Sequence, residues 1–181
     1  MRQYRYLSVH APSRFSAAEE EEIIALLAQA SALSFFIIVH PDSMHRVQDW
    51  EVLGEWLCLE NMDKRKDVGR TAEELMPFFD KLPLAGLCFD IAHARQVDGS
   101  MIEAYRILQS HHARVRQVHI SEVSTSSRHT RMSFAAMSDF REIAAFIPDT
   151  AAIIVEAPVE ADEIELELAS SRAVLLSNVQ Q

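Results

Sequence analysis

Short apolar stretches recur along the chain, and each ends in a histidine or a carboxylate. There are six of them: LSVHAP at His10, FFIIVHP at His40, WLCLEN at Glu60, LCFDIAH at Asp90 and His93, RQVHISE at His119, and AIIVEAP at Glu156. Apolar runs of about four to eight residues between turn signals are typical of the buried strands of a parallel sheet. With helical segments between them, the stretches predict six strand-then-helix units of an α/β fold.

The segments between the stretches carry helix signals. Ser16 and Glu19 form a capping box before an acidic first turn that is expected to face solvent, and Thr71 and Glu74 repeat the device. Further helices are predicted from Asp42 or Ser43 to Trp50, from about 99 to 112, after a cap at Ser138, and through 161–179, where a strand at 173–179 is the alternative. The segment 123–137 lacks periodicity and is predicted to be an active-site loop.

The polar residues that end the stretches are expected to meet at one place. The carboxyl ends of parallel strands lie at one rim of the sheet, where barrel enzymes carry their active sites. Three acids and at least three histidines gathered there would crowd like charges unless cations were bound. A mixed set of oxygen and nitrogen ligands suits Mn, Zn, Mg, Fe or Co rather than a thiolate-selecting site. The sequence therefore predicts a divalent metal site with Glu60, Asp90, His119 and Glu156 as ligands.

Two reactions fit such a site. In the first, a bound metal polarises a carbonyl or hydroxyl oxygen, and the catalytic carboxylates Glu60 and Glu156 move a proton, which gives an isomerisation or an epimerisation. His93 would bind substrate or metal, and Arg128 would bind a phosphate or carboxylate group. In the second, two or three ions activate water against a phosphodiester. That reaction needs the additional ligands His10, His40 and His129.

Composition and charge narrow the classes of protein. A chain of 181 residues with 49% apolar content is expected to form one domain, 1–181. A net charge of -10 repels phosphate backbones, so nucleic acid is an unfavourable partner. There is no signal-peptide pattern and no apolar run approaching about 20 residues, so a cytoplasmic protein without membrane contact is expected. Cys58 and Cys88 are expected to be buried thiols, in neither a disulfide nor a zinc site.

The order of the motifs adds a family resemblance. The series VHP, LEN, FDxxHA, VHISE, an Arg-His pair and IVEAP resembles the xylose-isomerase-like TIM barrel superfamily over nearly the whole chain. That superfamily includes sugar-phosphate isomerases and epimerases and, as a relative, endonuclease IV. The resemblance implies that Glu60, Asp90, His119 and Glu156 match the metal quartet of the isomerase branch, with His93 and Arg128 at substrate-contacting positions. His10, His40 and His129 match further ligands of the three-metal site in the endonuclease branch, where Ser127 replaces an Asp.

The resemblance also implies an incomplete barrel. Superfamily members have eight strand-helix units, and His10 lies where they carry the ligand of their third strand. We therefore expect an incomplete TIM-type barrel of about six parallel strands with outer helices, truncated at the N-terminus. An unclosed sheet leaves edge strands with unpaired backbone groups, which native chains cover. The edges near Tyr6 and Ile154 should be masked by a helix, a loop or, in a homo-oligomer, a second copy.

Three functions follow from these observations. The first is a divalent-metal-dependent isomerase or epimerase acting on a small-molecule sugar or sugar phosphate. The second is a zinc phosphohydrolase similar to endonuclease IV. The third is a degenerate, non-catalytic barrel with a binding or regulatory role, favoured by the missing units, by Ser127, and by RMSFAAMS where the family commonly has a glycine-rich loop.

Overall fold

The computed structural model describes residues 4–175 and shows an incomplete TIM-type α/β barrel. Six parallel strands form a half-barrel in the order β1-β2-β3-β4-β5-β8, with helices around it. The strands are β1 Ser8–His10, β2 Phe36–Val39, β3 Leu57–Glu60, β4 Gly86–Asp90, β5 Val115–Ile120 and β8 Ala152–Val155. The predicted fold class is confirmed, because each apolar stretch that ends in a histidine or a carboxylate contains a strand of this sheet.

Within residues 4–175, six helices and a small ribbon accompany the six-stranded sheet. The helices are α1 Glu20–Ala32, α2 Ala72–Lys81, α3 Ile91–Val97, α4 Ile102–His111, α5 Phe134–Ala144 and α6 Ile164–Leu175. Short 3-10 segments lie at Pro41–Ser43, Val47–Trp56 and His112–Arg114. Between β5 and α5, β6 Glu122–Val123 and β7 His129–Thr130 pair as an antiparallel ribbon. The predicted loop 123–137 therefore contains Val123 of β6, all of β7 and the first turn of α5.

Strand alternation gives the sheet two different faces. In β3, Leu57 and Leu59 belong to the main core beneath the helices, whereas Cys58 lies on the other face in a small cluster with Cys88 and Ile38. Glu60, two residues after Cys58, is expected on the same face as Cys58 because strand side chains alternate with period two. Both cysteines are buried and free, as predicted. Burial raises the pKa of the Cys88 thiol to about 12.

The helix starts differ from the predictions in three places. The Ser16 amide and hydroxyl donate to the Glu19 carboxylate, but α1 begins only at Glu20, which is buried rather than solvent-facing. The predicted helix from 42 or 43 to Trp50 is wrong, since two 3-10 segments occupy that region. Helix α5 is capped by Ser133, which accepts a hydrogen bond from the Ala136 amide, and begins before Ser138.

Other predictions about the helices hold. The Thr71 hydroxyl accepts from the Glu74 amide and caps α2, although Pro77 lies inside that helix. Helix α6 continues to Leu175, so residues 173–175 are helical rather than a strand, and the rest of that alternative lies outside the described residues. Within residues 4–175, we find no helix with the length and apolar character needed to span a bilayer.

The sheet has two edges, β1 and β8. Helix α6 packs against β8, and Leu168 and Ser171 line a cavity of 190 Å³ together with Ile153 and Val155. Masking of the edges by a second copy stays a prediction. Light scattering should then give the mass of two or more chains in solution, and a clean monomer with unpaired edges would contradict it.

Candidate functional site

The eight predicted ligands lie at the carboxyl-terminal rim of the sheet. His10, Glu60 and Asp90 end β1, β3 and β4, His40 and Glu156 directly follow β2 and β8, and His119 precedes the last residue of β5. His93 lies in the first turn of α3, where the Asp90 carboxylate accepts its amide hydrogen at 2.7 Å. His129 begins β7 of the ribbon. The parallel register brings these positions together, since Asp90 pairs with His119.

Glu60 is the centre of this group. Its Oε2 atom lies 3.0 Å from His10 Nε2 and 3.4 Å from His40 Nε2. Its Oε1 atom lies 3.4 Å from His119 Nδ1 and 3.5 Å from His93 Nδ1. The side chain is only 2% exposed. One buried carboxylate therefore stands between two pairs of imidazoles, with a different oxygen towards each pair.

The potential ligand atoms form overlapping groups. Glu60, Asp90, His119 and Glu156 each offer an atom within 4.8 Å of the others'. The same limit holds within three further sets, namely His10, His40 and Glu60; Asp90, His93 and His129; and Glu60, Cys88 and His119. All eight residues that the sequence suggested as ligands belong to at least one group. Cys88 was not among them, and its raised pKa keeps it a protonated thiol.

Three ligand atoms of the first set make no hydrogen bond among the described residues, although an imidazole or a carboxylate lies 3.1 to 3.5 Å from each. Asp90 Oδ2, His119 Nδ1 and Glu156 Oε2 are buried and accept or donate no hydrogen bond among the described residues. Buried polar atoms are normally satisfied, so orphaned atoms in one cluster require an explanation. A divalent cation would satisfy all three, because carboxylate oxygens and an imidazole nitrogen are the donors that such ions take. The residues present therefore fit a metal.

The charges of the site depend on one another. Burial alone would raise the pKa of Glu60, but the neighbouring His119 and His10 outweigh burial and lower it well below the usual value. Burial raises the pKa of Asp90, and the carboxylates of Glu60 and Glu156 raise it further, against the effect of His93. A cation would therefore compete with protons for these carboxylate and imidazole atoms.

A second layer of contacts orients the imidazoles. His10 Nδ1 donates to the Ala11 carbonyl at 2.7 Å, His93 Nδ1 to the Asn61 carbonyl at 3.0 Å, and His129 Nδ1 contacts the Ser121 hydroxyl at 2.8 Å. In each of these three rings the outer contact uses Nδ1, so the Nε2 atom is available to a carboxylate or a cation. The His119 ring differs, because its Nε2 contacts Gln117 and its Nδ1 faces the carboxylates. Such outer contacts fix the tautomer and direction of metal-binding histidines.

Asn61 and Gln117 have roles that sequence reasoning did not assign. The Asn61 side chain donates to the Asp90 carbonyl and accepts from the Asp90 amide, both at 2.8 Å. This pair of bonds ties the end of β3 to the end of β4. In the sequence, these roles of Asn61 and Gln117 are indicated only by position. Asn61 follows Glu60, and Gln117 precedes His119 by two residues on the same face of the strand.

The cluster opens into a cavity of 380 Å³. Glu60, Glu156 and the histidines at 10, 40, 93 and 129 line its inner part, with Ser13, Arg14, Asp63, Arg65, Lys66 and Ser127 around them. Three cationic side chains thus contribute to a site in which the sequence pointed to Arg128 alone. Arg128 is exposed in the ribbon and is not among the lining residues. A volume of this size suits a small molecule.

Comparisons with known proteins agree with this fold. Among solved structures, the probable 3-DHS dehydratase AsbF of Bacillus anthracis, involved in petrobactin synthesis, is similar with a TM-score of 0.64 and 14% identity over 94% of this chain and 75% of that one. A xylose isomerase-like TIM barrel protein of Mycobacterium smegmatis, in complex with magnesium, gives 0.61 and 13% over 93% and 74%. SacUVDE gives 0.60 and 16% over 95% and 66%. At these identities the likeness concerns the fold alone.

The family of the chain is identified by its sequence. No curated protein matches the chain. The family model described as xylose isomerase-like TIM barrel matches residues 42–176, which is well over half of the sequence and includes the ends of four of the six strands. Together with the half-barrel and its rim of acids and histidines, this match means that the chain belongs to the xylose isomerase-like TIM barrel family.

Proposed function

We propose that the protein is a divalent-metal-dependent isomerase or epimerase of a small sugar or sugar derivative. The observation that carries the proposal is the convergence of Glu60, Asp90, His119 and Glu156 within 4.8 Å, with three of their atoms buried and without a hydrogen bond among the described residues. These four residues would hold the ion, which could be Mn, Zn, Mg, Fe or Co, and a protein of similar fold was solved with magnesium. When bound, the ion would supply Lewis-acid polarisation of a carbonyl or hydroxyl oxygen.

The protein's own groups would carry out the proton transfer. Glu156 is 23% exposed and lines the cavity, so it can reach a carbon acid of a bound substrate. Glu60 lines the same cavity from another strand and is held by histidines on both of its oxygens. Two carboxylates at one substrate can remove and return a proton, which is what epimerisation and 1,2-isomerisation require. His93, which lines the same cavity, would contact substrate oxygens.

A deuterium experiment tests this reaction. The metal-loaded protein is incubated in D2O with a panel of aldoses, ketoses and their phosphates, and each sugar is examined by NMR for deuterium at the carbon beside the carbonyl. Solvent deuterium should enter at least one sugar, and removal of the metal by a chelator should stop the exchange. If no sugar in the panel exchanges with the metal-loaded protein, proton transfer on sugars is the wrong reaction.

Phosphoester hydrolysis with two ions is a second candidate, because of the position of Glu60. Glu60 has one oxygen towards His10 and His40 and the other towards His93 and His119, so these residues would provide ligands for two cations. Two neighbouring ions are typical of phosphoesterases, in which they supply water activation and charge stabilisation. The small cavity and the charge of -10 favour a small phosphoester over a nucleic acid.

Metal content separates the two candidates. Elemental analysis of freshly purified protein should give about one ion per chain for the isomerase and two or three for the hydrolase. In the second case, His40→Gln should lower the ratio by about one ion, since His40 belongs only to the group with His10 and Glu60. His112→Gln is the matched control, because His112 is exposed and belongs to no ligand group. A ratio of one that His40→Gln leaves unchanged would exclude the two-ion site.

A further inference from the structure

Three cations stand together at the mouth of the metal cavity. Arg14, Arg65 and Lys66 line both the 380 Å³ cavity and an adjoining outer cavity of 460 Å³, so they occupy the boundary between the two. The chain has only 17 Lys and Arg against 27 Asp and Glu. A convergence of three cations beside a cluster of potential metal ligands therefore runs against the charge of the rest of the molecule.

Two of the cations are held in place by acids. The Arg65 guanidinium donates to both oxygens of Asp63, at 2.9 and 3.1 Å, and to the Ser126 carbonyl at 2.6 Å. Lys66 Nζ lies 2.5 Å from Asp42 Oδ2. An arginine has five side-chain N–H groups and a lysine three, so two remain unused on each. Asp63 and Asp42 thus fix the two cations and leave donors free.

Arg14 has no such partner. Its exposed side chain makes no ion pair or hydrogen bond with any residue in 4–175, and it reaches the same boundary from the loop after β1. Ser13, beside it, adds a hydroxyl to the wall of the inner cavity. Asp67 lines the outer cavity but not the inner one. Arg65 and Lys66 are paired, whereas Arg14 is the cation of this mouth that has no carboxylate of residues 4–175 within ion-pair distance.

We infer that the substrate carries an anionic oxygen group, a phosphate or a carboxylate, which binds Arg14 and the free donors of Arg65 and Lys66 while its reacting carbons lie at the rim. Arginine binds both kinds of group through paired N–H donors. The statement that the reacting carbons lie at the rim rests on the proposed function. Binding of the anionic group to Arg14 does not need a metal. The substrate class is then a sugar phosphate or a sugar acid rather than a neutral sugar.

Three probes with one carbon skeleton test this inference. Calorimetric titration of D-ribose 5-phosphate, D-ribonate and D-ribose is carried out on chelator-treated protein and again with Mn²⁺ added. At least one of the two anions should bind about tenfold more tightly than ribose, since one charge-assisted hydrogen bond accounts for about that factor. The stronger of the two identifies the anionic group as phosphate or carboxylate.

Arg14→Gln should remove most of this preference for the anion. Arg141→Gln is the matched control, because Arg141 is likewise exposed and without an ion pair but lies on α5 and lines neither cavity. Circular dichroism should show an unchanged fold in both variants. Equal binding of all three probes, or a preference that persists in Arg14→Gln, would overturn the inference. If the protein prefers an anionic probe to ribose but binds no Mn²⁺, the anion site stands and only the proposed function is contradicted.

Discussion

Replacing Glu156 with glutamine is expected to abolish turnover and to weaken metal binding while leaving the fold intact. Glu156 follows β8 at the rim, lies 3.1 Å from His119 and 3.5 Å from His129, and has an oxygen without a hydrogen-bond partner. An amide of the same shape loses the negative charge that a cation binds and the basicity that accepts a proton. We expect at least about a hundredfold weaker metal affinity and about a thousandfold lower turnover.

The measurements are metal titration by calorimetry and deuterium exchange of the sugar panel. Glu160→Gln is a suitable control, because Glu160 lies four residues further along and belongs to no ligand group. Metal affinity and turnover equal to those of the wild type would remove Glu156 from the site. If the wild type itself shows no turnover on any substrate but binds metal, the non-catalytic barrel becomes the better description.

Replacing Glu20 with glutamine is expected to cost about 3 kcal/mol of unfolding free energy. The Glu20 carboxylate is 0% exposed and accepts from the Trp50 indole at 2.9 Å and from the backbone amides of His45 and Arg46 at 2.8 and 3.0 Å. It also faces the Arg46 guanidinium at 3.3 Å. A glutamine side chain presents an NH2 group to these donors, so at least one of them is left buried and unpaired.

Urea denaturation of both proteins measures this cost. Glu21→Gln is the matched control, since Glu21 is the exposed neighbour in the same turn of α1 and should change stability by less than about 0.5 kcal/mol. The loop that Glu20 holds follows β2 and begins with His40, so metal binding is expected to weaken in Glu20→Gln as well. Equal stability of the two variants would mean that the buried Glu20 carboxylate does not stabilise the fold.

The contribution of Glu20 should also depend on pH. Burial on its own would raise the pKa of Glu20, but the hydrogen bonds from Trp50, Arg46 and His45 outweigh burial and lower the pKa below its ordinary value of 4.5. The unfolded chain therefore takes up the proton first as the pH falls. The stability that Glu20 provides is complete above about pH 4.5 and is lost as the pH falls through the folded pKa. The difference between wild type and Glu20→Gln should narrow in that range.

The fold and the positions of the site residues were predictable because both depend on local pattern. Strand alternation and the parallel arrangement are properties of short segments, and they place whatever follows each strand at one rim. His10, Glu60 and Glu156 are far apart in sequence, and the structure brings their side chains together for this reason. The helix start at Ser133 rather than Ser138 was missed, because both serines precede plausible helical sequence and only packing of the helix selects one.

Other features depend on contacts that no local pattern contains. Glu20 sits in a run of four glutamates with equal helix preference, and only the packing of the loop 40–46 against α1 buries one of them. His111 on α4 is buried against Phe79 and bonds to the Ala72 carbonyl, and no local pattern marks it as a core residue. The meeting of Arg14 with Arg65 and Lys66 is of the same kind, because their loops follow different strands.

The sequence by itself thus determined the class of fold and the types of side chain at the rim of the sheet. Each strand segment has side chains that alternate with a two-residue period, and a histidine or a carboxylate follows its apolar residues. Only the tertiary structure decided which polar groups are buried, which carboxylate stands between two pairs of imidazoles, and which cations reach the cavity mouth. These are properties of distance between segments remote in sequence. Burial, charge coupling and the space left for a ligand all arise from those distances rather than from any one segment.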